Sequence, residues 1–322
     1  MNKPGEKDTL EDADKTRLHE RISAAWQASL GARLAPGLYI VSTPIGNLED
    51  MTLRALSVLE RADMTLCEDT RHSRKLVSHY GLSCALQPYH DHNAQKVRPH
   101  ILAALDQGKS VALISDAGTP LVSDPGYKLV REALDSGFAV HSIPGASASL
   151  AALTSSGLPS DHFYFEGFLP SKQGARKKRL EALRDIPSTL LFYEAPSRLG
   201  AMLSDALEVL GEREGVVAKE LTKLHEALLR GPLDALVRDA GSDFGNKGEF
   251  VVVIAPPVLA SVADEVIVRA LASALAETSL RDASHDIAQA FGVTRSRVYS
   301  LGLALKEQTG SPSEEPAGET RK

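Results

Sequence analysis

Cysteine is nearly absent: Cys67 and Cys84 are the only two among 322 residues. Two thiols exclude a disulfide framework and a four-cysteine zinc site, and free thiols fit a reducing compartment. No apolar run approaches the ~20 residues of a membrane span. The first 35 residues lack the apolar segment of a signal peptide and hold too many acids for a transit peptide. A cytoplasmic protein is therefore expected. The first strand end lacks GxGxxG, which excludes the dinucleotide fingerprint, and HExxH metal spacing is missing. The net charge of −6 excludes a chain that is basic throughout, yet it permits a local basic patch.

What is present is enough apolar material, 43% of residues, for more than one core. From Gly37 the runs "LYIVS", "DMTLCED", "SVALISD" and "FAVHSIP" read as strands. Between them "TLRALSVLERA", "SRKLVSHYG", "NAQKVRPHILAALDQG" and "GYKLVREALDSG" have helical spacing. This βαβα series predicts a mostly parallel sheet covered on both faces. After "SSGLP" the runs "HFYFEGFL", "STLLFYEA", "GVVAKELT", "HEALLRGPL" and "EFVVVIAPP", with helices at about 175–185, 198–211 and 232–241, predict a second α/β domain with a mixed sheet. "APPVLASVAD" reads as a linker. Beyond it Ala288, Gly292 and Val298 have helix-turn-helix spacing, with Gly292 in the turn. The expected organisation is a polar, partly disordered extension over 1–35, α/β domains over 36–158 and 159–257, a helix-turn-helix-like domain over 258–306 and a disordered tail over 307–322. Within the extension Leu18, Ile22, Trp26 and Leu30 recur every fourth position and predict a short amphipathic helix.

Chemistry is sought at the carboxyl ends of the strands, where open α/β sheets bind ligands. "SDAGTPLVSDPG" holds Asp116 and Asp124 with no basic residue before Lys128. That charge disfavours polyphosphate and suits a ligand with hydroxyls, an amino group or another cation; a metal held by the two acids is the rival. Asp124 reads more simply as a helix N-cap followed by Pro125 at N1. "CEDTRHSRKL" crowds Glu68, Asp69, Arg71, His72, Arg74 and Lys75, of which Glu68, Asp69 and Arg71 sit at the strand end. "FYEAPSRLG" and "AKELTKLHE" add Glu194, Lys219 and Glu220. Lys172, Arg176, Lys177, Lys178 and Arg179 form an acid-free basic run beginning in an expected loop over Ser171–Ala175, and predict a phosphate-rich partner.

Taken together, "STPIGNLEDMTLRAL", "CEDTRHSRKL", "SDAGTPLVSDPG", "IPGASA", "FYEAPSR" and "KELTK" resemble, in order, the small-subunit ribosomal RNA methyltransferases of the tetrapyrrole methylase-like superfamily. The resemblance covers roughly residues 37–257 and extends to the helix-turn-helix-like end, but not to the N-terminal extension. It implies an α/β, tetrapyrrole methylase-like two-domain fold. It implies S-adenosyl-L-methionine as cofactor and no metal, and 2'-O-methylation of the ribose of cytidine 1402 in 16S rRNA. The implied partners are the 30S ribosomal subunit and a second copy of the chain in a homodimer. The cofactor-binding positions it implies are Pro44, Asp116, Gly118, Val122, Ser123, Ser147, Ala148, Phe192, Tyr193 and Leu221. A base for the ribose hydroxyl is open among Glu68, Asp69, Glu194 and Glu220, and Arg71 joins the five basic residues as a phosphate contact. Two rivals are a methyltransferase acting on a tetrapyrrole carbon and a cofactor-sensing module joined to a DNA-binding helix-turn-helix.

Overall fold

The computed structural model describes residues 6–31, 33–240, 244, 247–257 and 263–309. The chain divides into two compact units, 1–257 and 258–322. The first begins with α1 (Glu6–Leu30), β1 (Gly37–Val41), α2 (Leu53–Arg61), β2 (Met64–Cys67), α3 (Thr70–Tyr80), β3 (Leu86–Pro88), α4 (Ala94–Asp106), β4 (Ser110–Leu113), α5 (Tyr127–Asp135), β5 (Val140–Ile143) and α6 (Ala148–Ser156). These strands form one sheet in the order β3-β2-β4-β1-β5, parallel throughout. Both faces are buried, as a parallel sheet requires: Leu38, Leu66 and Val111 sink into one core, and Val41, Ala55, Leu59 and Ala112 into the other. Helix starts follow local chemistry. Thr52 Oγ1 accepts from the amide of Ala55 at the head of α2, and Asp69 accepts from the amide of Arg71 at the head of α3.

The unit continues through β6 (Phe163–Phe168), α7 (Gln173–Leu183), β7 (Thr189–Glu194), α8 (Pro196–Leu210), β8 (Glu214–Lys219), β9 (Ala227–Pro232), α9 (Leu233–Ala240) and β10 (Phe250–Ile254). The sheet order is β6-β7-β10-β8-β9. Only β6 and β7 are parallel, so the sheet is mixed. Leu190, Phe192 and Val252 face one core, while Leu191, Val251 and Val253 face the other. In that second core Ala152 and Leu153 of α6 pack on this sheet. A buried leucine such as Leu153 contributes about 1.5–3 kcal/mol, so the last helix of the first series binds the two sheets into one unit.

Residues 258–322 hold α10 (Asp264–Ala274), α11 (Leu280–Phe291) and α12 (Arg295–Thr309) around Ile267, Leu271, Ala288 and Val298. Gly292 is left-handed, φ 63°, and closes α11 as the turn requires.

Several expectations are corrected. The N-terminal helix is long rather than short, and its Trp26 packs against the core of β1 and α2. Strand β3 was not expected; three residues are too few to show a pattern, and pairing with β2 defines it. Helix α7 starts at Gln173, inside the expected loop over 171–175. Helix α12 runs through Glu307–Thr309, the first residues of the expected tail. The rest of that tail, the first five residues and positions 258–262 of the linker lie outside the described residues.

Candidate active site

Two loops of the first sheet are stapled together. The amide of Thr43, after β1, donates to Gly118 O at 2.8 Å, and the amide of Gly118, after β4, returns to Thr43 O at 3.1 Å. Gly118 has φ 75°, and a Cβ there would stand 3.3 Å from Ile45 Cγ2. Asp116 Oδ1 accepts from the amide of Asp69 at 3.2 Å, which draws the end of β2 to the same place. From the second sheet, the loop after β8 meets the loop after β1, where the amide of Asn47 donates to Thr222 Oγ1 at 3.0 Å. The non-glycine residues with positive φ among those described are Leu121, Ser123, Glu220 and Thr222. All four lie in the two loops that face each other across the sheets, and strained backbone of this kind costs about 1–3 kcal/mol per residue and concentrates at functional sites.

Between these loops is a cavity of about 370 Å³, within the range of small-molecule sites. Ile45, Val122, Ala148, Tyr193, Leu221 and Val251 give it apolar walls, and Phe165 and Phe168 stack edge-on against Tyr193 at 4.9 and 5.6 Å. Asp116, Asp124, Glu194 and Glu249 line it, and among the described residues no Lys, Arg or His does. A phosphate brought here would meet carboxylates without a cation to balance it, whereas a positively charged ligand would be held. Burial, with Glu68 and Asp116 nearby, pushes the Asp124 carboxyl up to about 6, although Ser115 hydrogen-bonds to it. Burial also raises Glu194, against the opposing pull of the Ala195 amide and Arg198. Its Oε2 is buried without a partner, and Arg198 Nε lies 3.1 Å from Oε1 without hydrogen-bond alignment.

The profile of the tetrapyrrole (corrin/porphyrin) methylases matches residues 37–237. Ribosomal RNA small subunit methyltransferase I of Mesorhizobium japonicum is 49% identical over 88% of this chain and 97% of its own. That of Pseudomonas aeruginosa is 44% identical over 83% and 96%. The chain belongs to the ribosomal RNA small subunit methyltransferase I family of tetrapyrrole methylases. Solved structures place the fold in the same class: uroporphyrin-III-C-methyltransferase from Thermus thermophilus superposes with TM-score 0.51 at 21% identity over 68% of this chain and 94% of that one. For diphthine synthase the values are 0.53, 17%, 68% and 89%.

Within this methyltransferase fold, eight of the ten expected cofactor positions line the cavity: Asp116, Gly118, Val122, Ser123, Ser147, Ala148, Tyr193 and Leu221. Pro44 and Phe192 do not. Pro44 is buried, and Phe192 alternates with Tyr193 along β7, so its ring enters the opposite core. Of the four candidate bases only Glu194 lines the cavity. Glu68 is partly buried, and burial together with Asp116 and Asp91 raises its carboxyl. Asp69 is engaged as the cap of α3 and with Arg71, whose guanidinium holds it at about 2. Glu220 is pushed up by burial, but Lys223 and the amide of Glu249 outweigh that and hold it below the usual range.

Asp124 is not the helix cap the sequence suggests. Ser123 is left-handed and Gly126 has φ 137°, so the turn stays open through Gly126 and α5 starts at Tyr127. The basic run is also not five free cations. Arg176 is buried and bound to Asp205 at 2.6 Å, Lys177 reaches Glu208 at 2.6 Å, and Arg179 forks onto Glu166. Lys172 and Lys178 are exposed, with no ion pair among the described residues. Arg71 is exposed but engaged by Asp69. Gly248, Glu249 and Phe250 were missed: Gly248 and Glu249 lie just before β10 and Phe250 opens it, so the stretch reads only as the approach to a buried strand. The antiparallel pairing of β10 puts Phe250 beside Glu194 and Lys219, the ends of β7 and β8, where the ligand side of the sheet lies.

Proposed function

We propose that the chain transfers a methyl group from S-adenosylmethionine to the ribose 2'-hydroxyl of cytidine 1402 in 16S rRNA of the small ribosomal subunit. The observation that carries this reading is the cavity walled by apolar side chains and carboxylates, with no basic residue lining it among those described, in a chain of this methyltransferase family. The residues present fit the cofactor. It carries a sulfonium, an ammonium and a ribose diol, which suit Asp116 and the other carboxylates, and no phosphate. Its carboxylate suits the start of α6, where Ser147 makes no side-chain cap hydrogen bond. When bound, it supplies an activated methyl group. The chain's own part is to align the acceptor oxygen with that group, and alignment is a large source of rate. Tyr193, held by Phe165 and Phe168, and Leu221 exclude water from the transfer path.

Lys172 and Lys178 hold rRNA phosphates, since phosphate contacts position a substrate while its bases specify it. A homodimer and cytoplasmic residence belong to the same reading; sedimentation velocity tests the first. The deciding experiment is transfer of labelled methyl from S-adenosylmethionine to small subunits that lack the modification, with free rRNA, duplex DNA and a precorrin as comparison acceptors. Label on a cytidine ribose of the rRNA is expected. Label on the macrocycle, or cofactor binding with no transfer to RNA, would instead support a tetrapyrrole enzyme or a sensor.

A further inference from the structure

Leu221 reaches the cavity proposed for the cofactor from a turn that the backbone does not favour by itself. The residues on either side of it, Glu220 at φ 50° and Thr222 at φ 65°, are both left-handed. Each such residue costs about 1–3 kcal/mol and persists only where its surroundings over-determine it. Burial of the loop's tip does not supply that hold, since Leu224 is 93% exposed. Polar contacts do. The Glu220 amide donates to Glu249 O at 3.0 Å, and Glu220 Oε1 accepts from the Glu249 amide at 2.8 Å and from Lys223 Nζ at 3.0 Å. Lys223 Nζ also reaches Glu249 Oε2 at 2.9 Å. The Thr222 amide donates to Glu226 Oε2 at 2.6 Å, while Thr222 Oγ1 accepts from the Asn47 amide of the facing loop at 3.0 Å. Two glycines form the seat. A Cβ at Gly46 would stand 2.5 Å from Lys223 Cγ, 2.8 Å from Thr222 Oγ1 and 3.0 Å from Leu221 O, and one at Gly248 would stand 2.9 Å from Glu220 Cγ. The turn is thus wedged between the loop after β1 and the chain entering β10, each of which offers it only a glycine's hydrogen.

We propose, resting on the methyltransferase reading above, that Glu220 is a positioning residue for the cofactor and not the base: its carboxylate holds the left-handed turn, so that Leu221 and the Gly248–Glu249 segment stand as fixed parts of one wall. Gly248 and Glu249 line the same cavity as Leu221, whereas Glu220 itself does not. The carboxylate is joined to one side of the wall by the chain, through its neighbour Leu221, and to the other by the hydrogen bond from the Glu249 amide. Without it the turn relaxes towards the right-handed backbone that L-residues prefer, and Leu221 leaves the wall. Cofactor binding must then order the turn first, and apparent affinity falls with the fraction of chains in which the turn is already in place.

The test measures three quantities on the full chain: calorimetric affinity for S-adenosylmethionine, kcat for methylation of undermodified small subunits at saturating cofactor, and the folded fraction by circular dichroism. Glu220→Ala is expected to weaken cofactor affinity about ten-fold or more, with kcat at saturation and the folded fraction unchanged. Glu220→Gln keeps an oxygen for the Glu249 amide and is expected to restore most of that affinity. Gly46→Ala, which crowds the seat from the other side, is expected to weaken affinity as Glu220→Ala does. A Glu220→Ala chain that keeps its cofactor affinity but loses about 10²-fold or more in kcat would make Glu220 the base and overturn the positioning role. Unchanged affinity with unchanged kcat would overturn it as well, and so would an affinity loss that only follows the loss of folded protein. Equal losses in Glu220→Ala and Glu220→Gln would show that the bond to the Glu249 amide does not hold the wall. A wild type that does not bind S-adenosylmethionine would overturn the functional reading itself, and this inference with it.

Discussion

Asp124 holds its proton in the folded chain at pH values where the unfolded chain has lost it, because burial and two neighbouring acids lift its carboxyl to about 6 from 3.8. The sign follows from linkage. Below about pH 4 both states are protonated and the group costs nothing; as pH rises towards 6 and beyond, stability is lost. The shift sets an upper bound of about 3 kcal/mol, which solvent reaching the site reduces to about 1–2. Asp124→Asn is therefore expected to be more stable than the wild type at pH 7.5 by about 1–2 kcal/mol in urea unfolding, with the gap closing near pH 4. An equal gap at both pH values would rule out this origin. A contrasting residue is Asp205, buried against Arg176 at 2.6 Å and reached by Gln173 at 3.0 Å. Asp205→Ala strands a buried guanidinium and is expected to cost about 3–5 kcal/mol on the same measurement. At Asp124 and at Arg176, the partner of Asp205, the residue types were legible in the sequence but their roles were not: an Asp before Pro looks like a cap, and an Arg in a basic run looks like a phosphate contact. Only the neighbours from distant segments decide between these readings.

At the scale of elements, α7 shows how a charge run divides. One face turns Arg176 inward, Lys177 is shared with α8 through Glu208, and Arg179 returns to β6 through Glu166. Neutralising Lys172 and Lys178 together is expected to lower the slope of log affinity for rRNA against log salt by about 1–2, and Lys177→Gln by much less. A larger change from Lys177 would show that its ion pair opens on binding. In the second unit, Gly292 is left-handed with open space where a Cβ would stand. Gly292→Ala is thus expected to destabilise α10–α12 by about 1–2 kcal/mol through backbone strain alone, measured as lost amide protection in those helices. Strands and helices with clear periodicity were read correctly, since β1, β2, β4 and β5 and the helices between them carry their pattern locally. Strand β3 and the start of α5 were not, because sheet pairing and a glycine-held turn define them.

For the whole molecule, every described residue lining the cavity proposed for the cofactor falls in the unit 1–257. A chain ended after Pro257 is expected to bind S-adenosylmethionine with unchanged affinity by calorimetry. A ten-fold or greater loss, with the fold intact by circular dichroism, would show that residues 258–322 support the site. The two sheets and their parallel and mixed character follow from the sequence alone, because alternation and helical spacing are local signals that each segment carries by itself; the eight expected cofactor positions among the cavity residues came from the family resemblance rather than from those signals. Tertiary structure alone decided that α6 packs on the second sheet, that Phe192 turns away while Tyr193 turns in, and that the start of β10 joins the site. It also decided that Asp124 stands in the cavity wall. These outcomes depend on which surfaces come together across long separations in the chain, and burial, pairing and charge are properties of that meeting rather than of any single stretch.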